Sequence, residues 1–205
     1  MKYIYYALLV TGLCILLLRR EKLDKRLYFF IPLLFFIIVT ELISDWKGAY
    51  FVYHINQAIG FTLLCAYYSS IFTRRRMWVW GSLLIYLVYF TEFFIKAPDR
   101  FFSYDPIDFV AEGVFITMFS LYYLVELYRS SGQVRFAQQP HFWIVSGNLL
   151  FYSGSALFMG FAFRLRAYRP DLYVELGYIV QVLNLVLYSI YIKAFLCRRE
   201  EKILN

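Results

Sequence analysis

The chain has 205 residues, of which 61% are hydrophobic and 17% are charged, and its formal net charge is +7. Soluble domains are only about half apolar, so this composition excludes an ordinary water-soluble domain. The positive charge lies in short clusters and not in a basic stripe with base-stacking aromatic residues, which excludes a nucleic-acid-binding protein. The expected setting is a membrane, with lipids as immediate partners.

Seven apolar runs follow one another along the chain and leave only short connectors between them. They cover approximately residues 3–18, 26–43, 49–72, 77–95, 107–128, 141–163 and 172–197. Lipid offers no partner to a free backbone amide, so runs of this length must form helices. The sequence therefore predicts an all-α, polytopic integral membrane protein in which residues 1–205 form a single seven-helix transmembrane domain.

The 21 Lys and Arg residues are divided unequally between the two sides of the predicted bundle. The richer side has clusters at residues 19–26, 74–76, 129–135 and 198–202. Because cytoplasmic loops are enriched in Lys and Arg, this side is predicted to face the cytoplasm. Seven helices then place the N-terminus outside the cell and the C-terminus in the cytoplasm, and the expected location is a bacterial inner membrane.

Acidic and other polar side chains in the predicted helices are concentrated toward the outer ends. Glu41 and Glu92 lie near the outer ends of the second and fourth helices, and Glu112 lies near the outer start of the fifth. An ionisable residue within a membrane span is costly, so it usually faces the bundle interior or a wet cavity. We therefore predict a pocket that is open to the outside and closed toward the cytoplasm. Its predicted lining residues are Glu41, His54, Gln57, Glu92 and Glu112, with Asn148, Gln181 and Asn184 at its floor.

Most of these residues also have a purely structural interpretation. Glu41 can lie at the water interface, and Glu92 can form a surface ion pair with Lys96 one helical turn later. His54 can be a packed or interfacial imidazole, and the three amides of the predicted floor can join neighbouring helices by hydrogen bonds. The sequence leaves both interpretations open.

No sequence motif indicates a cofactor, and none is predicted. The three cysteines, Cys14, Cys65 and Cys197, lack the paired spacing of a zinc site or a disulfide framework. The metalloprotease pattern HExxH is also absent. A mixed set of one His and several carboxylates in the pocket could still bind a metal ion, so the presence of a metal is left open.

Three segments in the last third of the chain resemble the seven-helix membrane sensor regions that accompany bacterial histidine kinases. They are Phe142-Trp143-Ile144 at the start of the sixth helix, Tyr152-Ser153-Gly154-Ser155 within it, and Asn184-Leu185-Val186-Leu187-Tyr188 within the seventh. The resemblance implies a seven-helix membrane fold and a role in signalling. It assigns no catalytic or binding role to any residue of this chain.

The leading hypothesis is a non-enzymatic membrane sensor or receptor-like module. A small ligand, a cation or a proton would bind in the pocket and shift the sixth and seventh helices, and a cytoplasmic signalling partner would detect the shift. The first alternative is a small transporter or channel for a cation, a proton or a small solute. The second is an intramembrane enzyme that acts on a lipid or a peptide. The sequence also leaves open whether the protein forms a homo-oligomer.

Overall fold

The structure is a computed structural model that describes residues 2–47, 50–72, 74–96, 107–130 and 136–197. Within these ranges nearly every residue is helical, and seven α-helices are present, so the all-α prediction is confirmed. They are α1 (Lys2–Leu18), α2 (Phe30–Lys47), α3 (Tyr50–Ile71), α4 (Arg76–Lys96), α5 (Ile107–Ser130), α6 (Pro140–Tyr168) and α7 (Pro170–Leu196). Short 3₁₀ turns occupy Arg20–Lys22, Lys25–Phe29 and Phe136–Gln138.

Four helical segments in the described ranges are long and apolar enough to cross a membrane. They are Lys25–Ser44, Phe109–Arg129, Pro140–Ala162 and Pro170–Leu196. α1 is a shorter apolar helix, and the first turns of α3 carry the polar residues His54, Asn56 and Gln57. At the level of these four segments, the structure supports a membrane protein.

The boundary between α6 and α7 differs from the predicted one. The sequence predicted a connector of several residues after residue 163, but only Arg169 lies between the two helices. α6 stops at Pro170 because the residue before a proline is disfavoured in the α conformation. The proline then takes the first position of α7, where a missing amide hydrogen is tolerated.

Consecutive helices pack against each other, and α1 packs against α7 to close a ring. At one end of the ring, the Arg19 side chain after α1 donates a hydrogen bond to the Leu196 carbonyl of α7 (2.8 Å). At the same end, Asp24 before α2 lies 3.3 Å from His141 at the start of α6. The helices therefore alternate in direction, as short connectors between neighbouring helices require.

The outer surface of the ring is apolar, while several polar side chains are buried inside it. Phe35, Leu84 and Leu157 are each more than half exposed, whereas Glu112 and Asn148 are buried. A water-soluble protein rarely exposes large apolar side chains in this way. A lipid environment explains the inverted distribution, because lipid accepts apolar side chains and excludes polar ones.

Candidate ligand-binding cavity

A cavity of about 320 Å³ lies inside the ring. Side chains from six of the described helices line it: from the first turns of α1 and α5, from the first half of α3, from Leu33 to Glu41 on α2, and from the middle of α6 and α7. Because the helices alternate in direction, these segments extend from the end of the bundle opposite to Arg19 and His141 toward its middle. Among the predicted pocket residues, those that line the cavity are Glu41, His54, Gln57, Glu112 and Asn184.

Two of the lining residues are carboxylates that accept hydrogen bonds from tyrosines. The Tyr152 hydroxyl donates to Glu112 Oε1 (3.0 Å), and the Tyr5 hydroxyl donates to Glu41 Oε1 (3.2 Å). Glu112 is only 3% exposed. The next residue, Gly113, lets α5 approach α6, because a Cβ atom there would lie 2.7 Å from a side-chain carbon of α6. This close helix contact positions Glu112 within hydrogen-bonding distance of Tyr152.

The first turns of α3 form a polar wall of the cavity. His54 is buried, and Asn56 and Gln57 are partly buried. The Oδ1 atom of Asn56 and the Nε2 atom of Gln57 have no hydrogen-bond partner in the part of the chain that the structure describes, although both atoms are buried. A buried polar atom without a partner costs roughly 1–3 kcal/mol, so a partner for either atom would stabilise this wall.

Aromatic rings form much of the remaining wall. Phe109, Phe151 and Tyr188 line the cavity, and the Tyr188 ring meets the Tyr5 ring edge-on with 5.5 Å between the ring centroids. Another lining residue, Tyr53, is 38% exposed. The cavity therefore reaches the protein surface beside the start of α3.

Asn148 lies one helical turn from Tyr152, toward the opposite end of the bundle, and it is fully buried. Its Nδ2 donates to the Tyr68 hydroxyl (3.1 Å), and its Oδ1 accepts from the Tyr191 hydroxyl (2.5 Å). The Tyr68 hydroxyl is also 2.6 Å from Ser120 Oγ. These four residues, Tyr68, Ser120, Asn148 and Tyr191, form a hydrogen-bonded layer that joins α3, α5, α6 and α7. We call it the Asn148 layer.

Glu92 and Gln181 were both predicted for the pocket, but the structure places them outside the cavity. Glu92 is exposed and forms an ion pair with Lys96 one turn later on α4, a helix that does not contribute to the described cavity wall. Gln181 is exposed on α7. Val180, Asn184 and Tyr188 line the cavity from the same helix, and Gln181 is not among the lining residues.

A second polar cluster, which was not predicted from the sequence, lies at the opposite end of the bundle. His141 Nδ1 is 3.0 Å from the Tyr67 hydroxyl, and His141 Nε2 is 3.3 Å from Asp24 Oδ2. The pKa of Asp24 is well below its ordinary value, mainly because of the hydrogen bond from His141. Burial acts in the opposite direction and is outweighed. Asp24 also accepts from the Arg26 amide (2.9 Å), which starts the 3₁₀ turn before α2. We call Asp24, Tyr67 and His141 the His141 cluster.

The structure does not assemble the metal site that the sequence left open. Within the described residues, no three His, Cys, Asp or Glu side chains form a group that could hold a metal ion. One carboxylate of the mixed set considered, Glu92, lies on the exposed face of α4. A ligand in the cavity would meet carboxylate charge, hydrogen-bonding groups and aromatic rings.

Comparisons with protein-family models, with curated proteins and with solved structures found no match for this chain. The cavity, the Asn148 layer and the His141 cluster are therefore the features from which a function can be proposed. All three consist of buried polar groups in a bundle whose outer surface is apolar, and such groups usually mark function in a membrane protein.

Proposed function

We propose that this protein is a non-enzymatic, multi-pass membrane sensor. A small ligand binds in the cavity from the external side, binding shifts α6 and α7, and a cytoplasmic partner detects the shift. The observation that carries the proposal is the position of the cavity. It contacts both of these helices, and the Asn148 layer lies between it and the opposite end of the bundle.

The proposed topology has seven spans in a bacterial inner membrane, with the N-terminus outside and the C-terminus in the cytoplasm. The cavity lies at the end of the bundle where α1 begins. The opposite end carries Arg19, Arg20 and the basic residues 74–76. Cytoplasmic ends are enriched in such residues, so in this topology the cavity faces the outside, as a sensor of external ligands requires.

α7 connects the cavity to the opposite end through buried aromatic residues. Tyr188 lines the cavity and Tyr191 belongs to the Asn148 layer, and their ring centroids are 5.9 Å apart. The Phe195 ring follows at 6.2 Å from the Tyr191 ring. The Arg19 side chain then donates to the Phe195 carbonyl (3.1 Å), which ties the end of α7 to the end of α1. A ligand that displaces Tyr188 would therefore move the whole of this helix and change its contact with α1.

A second candidate function, a transporter for a cation, a proton or a small solute, is favoured by one observation. Transport needs polar groups in both halves of the membrane, and the His141 cluster supplies such groups at the end opposite the cavity. In a transporter the Asn148 layer would have to open during each cycle, because alternating access exposes one site to the two sides in turn. In a sensor the same layer remains closed.

Cys197 provides a natural reporter at the end of α7. A variant with Cys14→Ser and Cys65→Ala is labelled with a fluorophore at Cys197, reconstituted in lipid vesicles and screened against a library of small compounds. We expect compounds that bind the protein to change the fluorescence, without flux of the compound or of protons across the vesicle membrane. The matched labelling control retains only Cys14, which is exposed on α1.

Two substitutions connect the fluorescence response to the cavity. Gln57→Leu removes a polar group from the cavity wall and should abolish the response, whereas Gln181→Leu makes the same chemical change outside the cavity and should preserve it. Flux of the compound or of protons would overturn the sensor proposal and favour the transporter. Binding that leaves the Cys197 label unchanged would overturn the proposed coupling through α7.

A further inference from the structure

The charge of the cavity wall indicates the sign of a ligand's charge. Glu41 and Glu112 line the cavity on different helices, and among the described lining residues there is no Lys or Arg. Glu112 is almost completely buried, so its electrostatic interactions are screened less than those of a surface carboxylate. A wall of this composition favours a cation over an anion.

The rings around the cavity indicate an organic cation in particular. Tyr5, Tyr152 and Tyr188 line the cavity together with Phe109 and Phe151. The face of an aromatic ring carries partial negative charge and attracts ammonium groups. A metal ion would instead require several oxygen, nitrogen or sulfur ligands at one point, and no group of three or more His, Cys, Asp or Glu side chains that could hold one exists among the described residues.

The two carboxylates also supply the hydrogen-bonding requirement. An ammonium group with N–H donors can donate to the carboxylate oxygens of Glu41 and Glu112, which a fully substituted ammonium cannot do. This chemistry favours a primary or secondary amine over a quaternary one.

The rest of the cavity suits an apolar body. Leu33, Ile37, Met159 and Val180 line it beside the aromatic rings. Its volume of about 320 Å³ lies at the lower end of the range for small-molecule sites, roughly 300–1,000 Å³. A compact ligand with one charged end and a short apolar body therefore matches both the volume and the composition.

We propose that the cavity binds a compact organic cation, namely an alkylammonium with an apolar body whose charged end lies among Glu41, Glu112 and the tyrosine rings. This inference rests on the proposed function only in taking the cavity as the ligand site. The ammonium group can belong to a free amine or to the headgroup of an aminophospholipid, because both present the same chemistry to the cavity.

Three probes of similar size separate charge from shape. They are 3-phenylpropan-1-amine, which is protonated at neutral pH, the uncharged 3-phenylpropan-1-ol, and the anionic 3-phenylpropanoate. Binding to the full chain in detergent is measured by calorimetry and by the shift in melting temperature. The affinity for the amine should be at least about tenfold higher than the affinity for the alcohol. The carboxylate should not bind measurably.

The carboxylates are tested with a matched control on the same chain. Glu112→Gln and Glu41→Gln should each reduce the affinity for the amine about tenfold and leave the affinity for the alcohol unchanged. Glu92→Gln makes the same chemical change at an exposed carboxylate outside the cavity and should leave both affinities unchanged. If Glu112→Gln does not fold, Glu41→Gln and Tyr152→Phe test the same claim from the other carboxylate and from the donor to Glu112.

Equal affinities for the amine and the alcohol, or equal losses in Glu92→Gln and Glu112→Gln, would overturn the ligand class. The sensor proposal would survive such a result if the alcohol still changed the Cys197 fluorescence. Conversely, amine binding without a fluorescence response would keep the ligand class and overturn sensing. Repeating the measurement in nanodiscs identifies the source: phosphatidylethanolamine competes with the amine probe if the natural ligand is a headgroup, and does not compete if it is a free amine.

Discussion

The two ends of the helix bundle use buried polar side chains in different ways. At the cavity end, Asn56 and Gln57 line the cavity, and each has a buried polar atom without a hydrogen-bond partner among the described residues. At the opposite end, both ring nitrogens of His141 are within hydrogen-bonding distance of a partner, the Tyr67 hydroxyl and the Asp24 carboxylate. We call the first end, where the proposed ligand site lies, the binding end, and we call the second, whose contacts join neighbouring helices, the holding end.

This difference shows that polarity alone does not mark a binding site inside a membrane bundle. A buried polar group in lipid needs a partner, which either the protein or a ligand supplies. In the Asn148 layer the protein supplies the partners, so Asn148 acts as a structural hydrogen-bonding residue although it lies only one turn from the cavity wall. Three changes test the division into a binding end and a holding end.

The largest effect on stability is expected at the holding end. Phe30 is fully buried, and the ring centroids of Tyr67 and Tyr191 each lie 5.0 Å from its own. Phe30→Ala should lower the free energy of unfolding by about 3 kcal/mol, because it leaves a space that the neighbouring helices cannot fill completely. Phe35→Ala is the matched control on the exposed face of the same helix. Unfolding in mixed detergent micelles measures both, and equal losses would contradict the division.

A smaller effect is expected in the layer between the two ends. Asn148→Leu removes the acceptor of the Tyr191 hydroxyl and one partner of the Tyr68 hydroxyl. It should lower the free energy of unfolding by about 2 kcal/mol, while the affinity for a cavity ligand changes little. Gln181→Leu, an exposed amide on α7, is the control and should be close to neutral. Loss of ligand binding without loss of stability would assign Asn148 to the binding end.

The smallest effect is expected for the pH dependence of the free energy of unfolding, through the contribution of Asp24 at the holding end. The pKa of Asp24 is lower in the folded protein than in the unfolded chain, so its pairing stabilises the fold above the unfolded pKa of about 4. This contribution is lost as the pH falls below that value. Because Asp24 is partly exposed and screened by solvent, the loss should not exceed about 1 kcal/mol.

Asp24→Asn should therefore make the free energy of unfolding less dependent on pH at the acidic end of the titration. The control is Glu21→Gln, an exposed carboxylate in the preceding 3₁₀ turn, which should retain the wild-type dependence. Unfolding curves recorded between about pH 6 and about pH 3 measure the difference, since that window includes the unfolded pKa of an Asp. Identical slopes for Asp24→Asn and the wild type would show that the His141 cluster does not contribute to stability through Asp24.

Much of the fold could be predicted because lipid restricts a long apolar run to one backbone structure. The all-α class follows from that restriction, and the described helices lie in the predicted order along the chain. The seven-span topology and its orientation depend on the distribution of Lys and Arg, and they stay predictions. The alternation of helix direction also explains why residues as distant in sequence as Glu41 and Asn184 line one cavity.

The amino-acid sequence by itself determined the helices and the depth of each polar residue along its helix, because run length and residue position depend only on the chain. Only the tertiary structure decided which face each residue occupies. In lipid the outer face of a helix is apolar as well, so periodicity does not distinguish Gln181 from Asn184. His141 and Asp24 are 117 residues apart and meet only because the start of α6 packs beside the connector that precedes α2. Contacts of this kind depend on how whole helices pack, which no local pattern records.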